Sequence, residues 1–267
     1  IPVATTRWED LVEDRAVDAV VIATPNFLHA PQAIACLDAG VHVLVEKPMA
    51  RSVAECDAML GAANRSGAQL MVAHCWRFHA RVRALRDRVA AGEIGTVVKT
   101  RGYGIHVRWG PQGWFTLPDL AGGGALVDMG VHAIDTARFV LGDPAPERVC
   151  ATIATRYGSY EVDDDAILLI SWDNGVNSIV ESGWWQPHAG GLEAETEVYG
   201  TDGYTRAFEF SEAPAGYEHC SQPMYSEQMR AFLDGIAGRR EVRPNGEDGR
   251  VVVRIVEEAY RAGLGSA

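Results

Sequence analysis

The sequence predicts an α/β fold in which a doubly wound parallel sheet is followed by an α+β domain with a mostly antiparallel open sheet. Three observations carry that expectation. Residues 17–24 (VDAVVIAT), 41–45 (VHVLV) and 69–73 (QLMVA) are short, largely apolar runs of the kind found in strands covered on both faces. Between them, residues 29–39 and 52–64 carry apolar positions at helical spacing, so strand and helix alternate as a βαβαβ unit. Beyond about residue 77 the rhythm changes to β-like runs separated by turns such as Asp173-Asn174-Gly175, whose Asn-Gly pair is a strong hairpin signal.

Taken in order, residues 6–15 read as a short helix with Thr6 as N-cap and Glu9 completing a capping box. Pro25 closes the strand at 17–24, and Gly40 caps the helix at 29–39. A charged amphipathic helix is expected at 81–91, then a Gly-Glu-Ile-Gly turn and a strand at 97–103. A Gly- and Trp-rich loop leads to a helix at 125–141, introduced by Gly122-Gly123-Gly124. Strands at 148–156, 166–172, 176–184, 195–199 and 203–208 are expected to be antiparallel. Helices at 226–236 and 249–262 close the chain. The boundary is drawn so that residues 1–77 form the doubly wound piece and residues 78–267 the α+β domain.

Composition sets outer limits. The 267 residues allow one large domain or two modest ones, and 47% hydrophobic with 22% charged residues is ordinary for a globular protein. No apolar run approaches the roughly 20 residues that span a bilayer. The formal net charge of −12 argues against nucleic acid or an anionic membrane as a main partner. Cys36, Cys56, Cys75, Cys150 and Cys220 are widely spaced, with no Cys-x-x-Cys, which fits reduced thiols of a cytoplasmic protein and neither a disulfide framework nor a zinc site.

Four segments carry candidate chemistry. Glu46 and Lys47 emerge at the carboxyl end of a buried strand, where parallel sheets bind ligands; the pair is either a structural ion pair or part of an active site. Thr24-Pro25-Asn26 and His29 open a helix after another strand, where they either contact a polar ligand or simply cap the helix. Asp128, His132 and Asp135 lie at i, i+4 and i+7 on one helix face: a carboxylate-tuned acid/base, or a surface pair contributing about 0.2–0.5 kcal/mol. The glycine triplet before them lets the chain, or a ligand, approach closely. In Trp184-Trp185 the neighbours point to opposite faces, so one is core and the other is free for a ligand or a subunit interface. Arg77 is an anion contact or a plain ion-pair partner. No metal site is expected.

Together these segments resemble the Gfo/Idh/MocA family, the glucose–fructose oxidoreductase and inositol dehydrogenase group. The resemblance rests on VDAVVIATPNFLHAPQAIACLDAGVHVLVEKP, CWRFHARVRALRDRVAAGEIGTVVKTRG and GGGALVDMGVHAID, above all on Glu-Lys-Pro combined with Asp-x-Gly-x-His. It implies a Rossmann domain binding NAD or NADP and an α+β domain that supplies the substrate wall and often a subunit interface. It further implies that Lys47 and His132 act on a substrate hydroxyl, with Asp128 near the substrate or orienting His132. Thr24, Pro25, Asn26, His29, Glu46, Lys47 and Arg77 would serve the cofactor; Trp114, Asp128, His132, Trp185 and His188 would contact a sugar or cyclitol.

The family pattern opens with a strand and a G-x-G-x-x-G turn that residues 1–20 do not contain. Two βα units, roughly 60–70 residues, are therefore expected to be absent from the chain, with weak dinucleotide affinity as the consequence. The leading expectation is an NAD(P)-dependent dehydrogenase or reductase acting on a sugar, sugar derivative or cyclitol, as a homodimer or homotetramer. The alternatives are an NAD-assisted glycoside hydrolase, and a non-catalytic sugar or dinucleotide sensor on the same fold.

Overall fold

The computed structural model describes residues 3–187, 193–208 and 222–264. A short helix α1 (Glu9–Glu13) precedes strand β1 (Ala19–Ile22), helix α2 (Asn26–Asp38), strand β2 (His42–Val45), helix α3 (Val53–Ser66) and strand β3 (Leu70–Val72). The strands pair in parallel in the order β1–β2–β3, with Leu44 opposite both Val21 and Met71. Central β2 is buried on both sides. Val43 and Val45 enter the core beneath α2 and α3, whereas Leu44 enters a second core shared with the following domain. Alternate residues of one strand thus feed two cores, which the period of two requires.

The local start and stop signals act unequally. At the start of α3 the Ser52 hydroxyl accepts from the Glu55 amide, and Gly67 ends the helix with a φ of 75°. The expected capping box at Thr6 and Glu9 does not form. Trp8 holds the N-cap position without a side-chain bond, and Thr5 instead accepts from the Arg7 amide while donating to Asp10. Without a side-chain cap at its start, α1 is little more than one turn.

A 3₁₀ turn at Cys75–Phe78 leads into α4 (Ala80–Ala90) and β4 (Val97–Val107). A 3₁₀ turn at Gly113–Thr116 and the short α5 (Pro118–Ala121) precede a π-helical turn, Leu126–Gly130, that continues as α6 (Val131–Val140). Strands β5 (Pro146–Ala154), β6 (Asp165–Trp172), β7 (Asn177–Gln186), β8 (Ala194–Gly200) and β9 (Tyr204–Arg206) follow, then α7 (Gln222–Ile236) and α8 (Gly246–Leu264).

The second sheet has the order β5–β6–β7–β4–β8–β9. The Asn174-Gly175 turn joins β6 to β7 antiparallel, with Gly175 at a φ of 81°. The sheet is mostly antiparallel, as expected, with one parallel pair at its centre, where β4 runs parallel to β7 and antiparallel to β8. The chain between β4 and β7 includes α6, β5 and β6, a connection long enough for the crossover that a parallel pair needs.

Along β6, Ala166, Leu168, Ile170 and Trp172 are buried, while Ile167 and Leu169 face outward at 46% and 42% exposure. The inner face packs on α6 and α8. Helix α8 serves both layers: Val252, Ile255, Val256 and Ala259 join the core of the second sheet, and Val253 joins that of the first. Among the described residues no helix is long and apolar enough to cross a membrane.

Candidate active site

The carboxyl ends of β1 and β2 open onto a cavity of about 180 Å³ whose far wall is Trp114, Phe115 and the glycine turn before the π segment. This is where an open parallel sheet places its ligands. Thr24, Asn26, His29, Glu46, Lys47 and Asp128 all reach its lining. Asn26 donates to the Ala121 carbonyl at 2.8 Å, so it ties the strand end to the opposite wall. His29 is buried with its two ring nitrogens 2.8 Å from the carbonyl oxygens of Pro48 and Thr24, bracing both strand ends; burial lowers its pKa. Pro25 sits at the N-cap of α2.

The glycine triplet gives close approach to the chain itself. The Asp163 carboxylate accepts from the Gly124 and Leu126 amides at 2.8 Å each and from the Tyr260 hydroxyl at 2.5 Å. A Cβ on Gly124 would lie 1.9 Å from the Asp163 carbonyl oxygen. The start of the helix is thus anchored by Asp163 and α8.

The π turn changes which side chains meet. Asp128, His132 and Asp135 do not act as one cluster. Lys47 donates from Nζ to Asp128 Oδ1 and to the Asp128 carbonyl, both at 2.9 Å. Asp128 Oδ2 accepts from His106 Nε2 at 3.2 Å and Trp184 Nε1 at 3.1 Å. Among the described residues none of the hydrogen bonds of Asp128 goes to His132. His132 instead borders a second, smaller cleft with Trp76, Tyr103 and Phe208, and its buried Nδ1 has no hydrogen-bond partner among the described residues. Asp135 accepts a bidentate pair from Arg77, with Nη2 at 2.7 Å and Nε at 2.8 Å.

Electrostatics follow from these contacts. Burial opposes the charge on Lys47, but the Asp128 carboxylate outweighs it and raises the lysine pKa. Burial likewise opposes the charge on Asp128, and Lys47 with His106 overcomes it, holding the carboxyl far below its usual range. Burial and the nearby Lys47 charge hold His132 well below the ordinary histidine value. Burial raises Glu46. The chain has only two lysines, Lys47 and Lys99, against 22 arginines, and one of the two sits here.

Arg77 is not brought to the cavity. It is buried among Asp135, Asp143 at 3.0 Å and Asp248 at 3.9 Å, the ion-pair alternative of the two open in the sequence. Trp114 stacks on Phe115 with centroids 3.9 Å apart. Trp184 is fully buried and Trp185 is 37% exposed, with a φ of 63° that is an outlier for an aromatic residue. His188 lies outside the described residues. Sequence reasoning missed His106, Trp184 as a partner of Asp128, and Glu193. The one available signal was a histidine set among apolar residues at the carboxyl end of β4. Among the described residues no group of three metal-binding side chains converges.

Comparison with known proteins agrees with this architecture. The model of the NAD-binding Rossmann-fold oxidoreductase family matches residues 1–74, and the GFO/IDH/MocA C-terminal domain model matches residues 82–206. The chain is 32% identical to 1,5-anhydro-D-fructose reductase of Ensifer adhaerens, covering 92% of this chain and 77% of that protein. It is 30% identical to D-xylose 1-dehydrogenase (NADP(+)) 2 of Haloferax volcanii, covering 98% and 83%. The structure of GenD2 from gentamicin A biosynthesis in complex with NAD superposes with a TM-score of 0.89 at 27% identity, covering 98% of this chain and 81% of that one. Levoglucosan dehydrogenase in complex with NADH superposes with a TM-score of 0.84 at 25% identity, covering 98% and 81%. With both of its layers matched in sequence and in fold, this chain belongs to the Gfo/Idh/MocA family of NAD-binding oxidoreductases, whose relatives here are sugar dehydrogenases and reductases.

Proposed function

We propose that the chain moves hydride to or from a hydroxyl-bearing carbon of a sugar, a sugar derivative or a cyclitol, with NAD or NADP as redox partner. One observation carries this reading: a buried ammonium, Lys47, fixed by Asp128 on the wall of a cavity at the carboxyl ends of two parallel strands. Residues on both sides of that cavity suit the ring end of a dinucleotide. Thr24, Pro25, Asn26 and Glu46 would line one side, with His29 bracing the strand ends behind them. When bound, the nicotinamide supplies the hydride acceptor or donor that no side chain offers.

The chain's own residues handle the oxygen and its proton. Lys47 spends two of its three ammonium hydrogens on Asp128 and directs the third toward the substrate oxygen. As negative charge develops on that oxygen, the fixed cation stabilises it more than it stabilises the neutral hydroxyl. His132, with an unspent Nδ1 and a pKa lowered by burial, is the acceptor of the hydroxyl proton in this reading; it borders the second cleft, so the substrate must reach from the Lys47 cavity to that side. Trp114, Trp185 and His188 are the substrate contacts in this reading. The apolar outer face of the second sheet, with Ile167 and Leu169, is where two or four copies associate.

A screen of sugars and inositols for NAD(P)H formation tests the reading. The expected result is turnover that Lys47→Ala abolishes; undiminished turnover in that variant overturns it. Released sugar without net NAD(P)H would instead identify the glycoside hydrolase, and ligand binding without turnover the sensor.

A further inference from the structure

We infer that His106 is a positioning residue for this chemistry: clamped between Asp128 and Glu193, it holds Asp128 so that Lys47 keeps one N–H for the substrate oxygen. Its effect on turnover rests on the oxidoreductase reading above; the clamp itself does not.

His106 lies near the end of β4 and is 2% exposed. Its Nε2 is 3.2 Å from Asp128 Oδ2, and its Nδ1 is 3.8 Å from Glu193 Oε1. The ring stacks on Trp109, with centroids 3.6 Å apart and planes at 31°. Glu193 is fixed in turn, because its Oε1 accepts from Trp109 Nε1 at 2.6 Å and from the Val107 amide at 3.3 Å. Nε2 lies within hydrogen-bond distance of Asp128 and Nδ1 faces Glu193 across 3.8 Å, so each ring nitrogen has a carboxylate on its side, an arrangement that favours the protonated ring. The charged groups facing it are Asp128 from the π turn, Glu193 at the start of β8 and, through Asp128, Lys47 after β2.

Basic and acidic groups therefore alternate along one buried line: Lys47, Asp128, His106, Glu193. Burial alone would lower the His106 pKa, yet the two carboxylates raise it, which agrees with that pattern. The consequence is geometric. While His106 and Trp184 occupy Oδ2, Asp128 offers Lys47 only Oδ1 and its carbonyl. Without the His106 Nε2 contact, the carboxylate is free to turn Oδ2 toward Lys47 and consume the third ammonium hydrogen. Neither His106 nor Glu193 lines the cavity, so His106 acts through Asp128 and not on substrate.

The first test needs no substrate. Imidazole titrations followed by NMR on histidine-labelled protein, with His106→Gln assigning the signal, are expected to place His106 above the ordinary value of about 6.5. Glu193→Gln should lower that midpoint by about one pH unit, the scale on which a neighbouring charge acts. An ordinary midpoint that Glu193→Gln leaves in place overturns the clamp. The second test uses any substrate found in the NAD(P)H screen. His106→Leu should lower kcat about 10²-fold with KM little changed, the cost of misplacing a catalytic group. His106→Gln should recover part of the rate, since its amide still donates to Oδ2, but lose the fall in kcat seen as pH rises through the His106 midpoint. Full kcat and an unaltered pH profile in His106→Gln, with Lys47→Ala inactive, would overturn the positioning role and leave the oxidoreductase reading intact. Retained turnover in Lys47→Ala would sink that reading, while the titration would still judge the clamp. The titration and the Gln variant decide the matter even where the Leu variant does not fold.

Discussion

Two buried ion clusters share one helix, and they differ in what their cations have left over. Asp128 and Asp135 sit seven residues apart on the π turn and α6, each paired with a cation from the carboxyl end of a parallel strand. At Asp135, Arg77 is enclosed by carboxylates and lies away from the cavity at the strand ends. At Asp128, Lys47 faces that cavity with an N–H to spare. The charge types are the same, so a buried ion pair by itself says little about function. The difference lies in which cleft each cluster borders: Arg77 and Asp143 line an arginine-rich cleft with Arg86 and Arg243, whereas Lys47 and Asp128 line the cavity at the carboxyl ends of β1 and β2.

Substitutions can break this contrast. The largest expected effect is catalytic: Lys47→Ala should lower kcat about 10³-fold, the upper end for removing one electrostatic donor, as measured by NAD(P)H-linked rates. Arg77→Ala should leave the chemistry of Lys47 in place yet destabilise the fold by about 3–5 kcal/mol, because buried Asp135 loses its bidentate partner while Asp143 and Asp248 keep Arg138 and Arg243. Urea unfolding would show it. If Arg77→Ala instead altered turnover with stability intact, the two clusters could not be separated as drawn.

Acid should unfold the protein in two stages, and the sign follows from the direction of each shift. His74 and His132 are lowered chiefly by burial, so the unfolded chain binds more protons than the native one. Their stabilisation is complete above about pH 6.5 and is lost as pH falls through their native values. Asp135, lowered by Arg77 and His74 against its burial, contributes stability that is complete above about pH 4 and lost below it. His106, raised, runs the other way: its contribution is present at low pH and lost as pH rises through its native value. Thermal melts across pH should therefore show a decline that begins below neutrality, and His74→Phe should flatten its upper part. A melting temperature independent of pH between 4 and 6.5 would contradict the burial of these neutral rings.

The smallest expected effect is at Trp185. Relieving its positive φ with Trp185→Gly should change stability by only about 1 kcal/mol, since lost packing and released strain oppose one another. Under the proposed reading the same change raises KM for the sugar while kcat is largely kept. A KM equal to that of the wild type would remove Trp185 from the substrate wall.

Much of the fold was legible along the chain because it depends on short-range regularities. The runs around Val20, Leu44 and Met71 mark parallel strands, although β1 is not the buried strand expected, with Val21 53% exposed at the sheet edge; Ser52 and Gly67 mark helix ends, and Asn174-Gly175 marks a hairpin. Thr6 does not cap α1: the helix starts after Trp8, and the local side-chain bonds are those of the neighbouring Thr5. The parallel pairing of β4 with β7 was not legible, since residues near 100 and near 180 meet only through a crossover that no local signal encodes.

The site divides the same way. The sequence by itself determined that Lys47 stands at the end of a buried strand and that Asp128 and His132 stand on one helix, because strand and helix periods are local properties of the chain. Only the tertiary structure decided the partners. A π turn rotates Asp128 toward Lys47 and His106, Arg77 is drawn into a separate buried ion cluster, and Trp184 donates from a distant strand. Burial makes each of those choices costly to reverse, and burial is a property of the assembled fold.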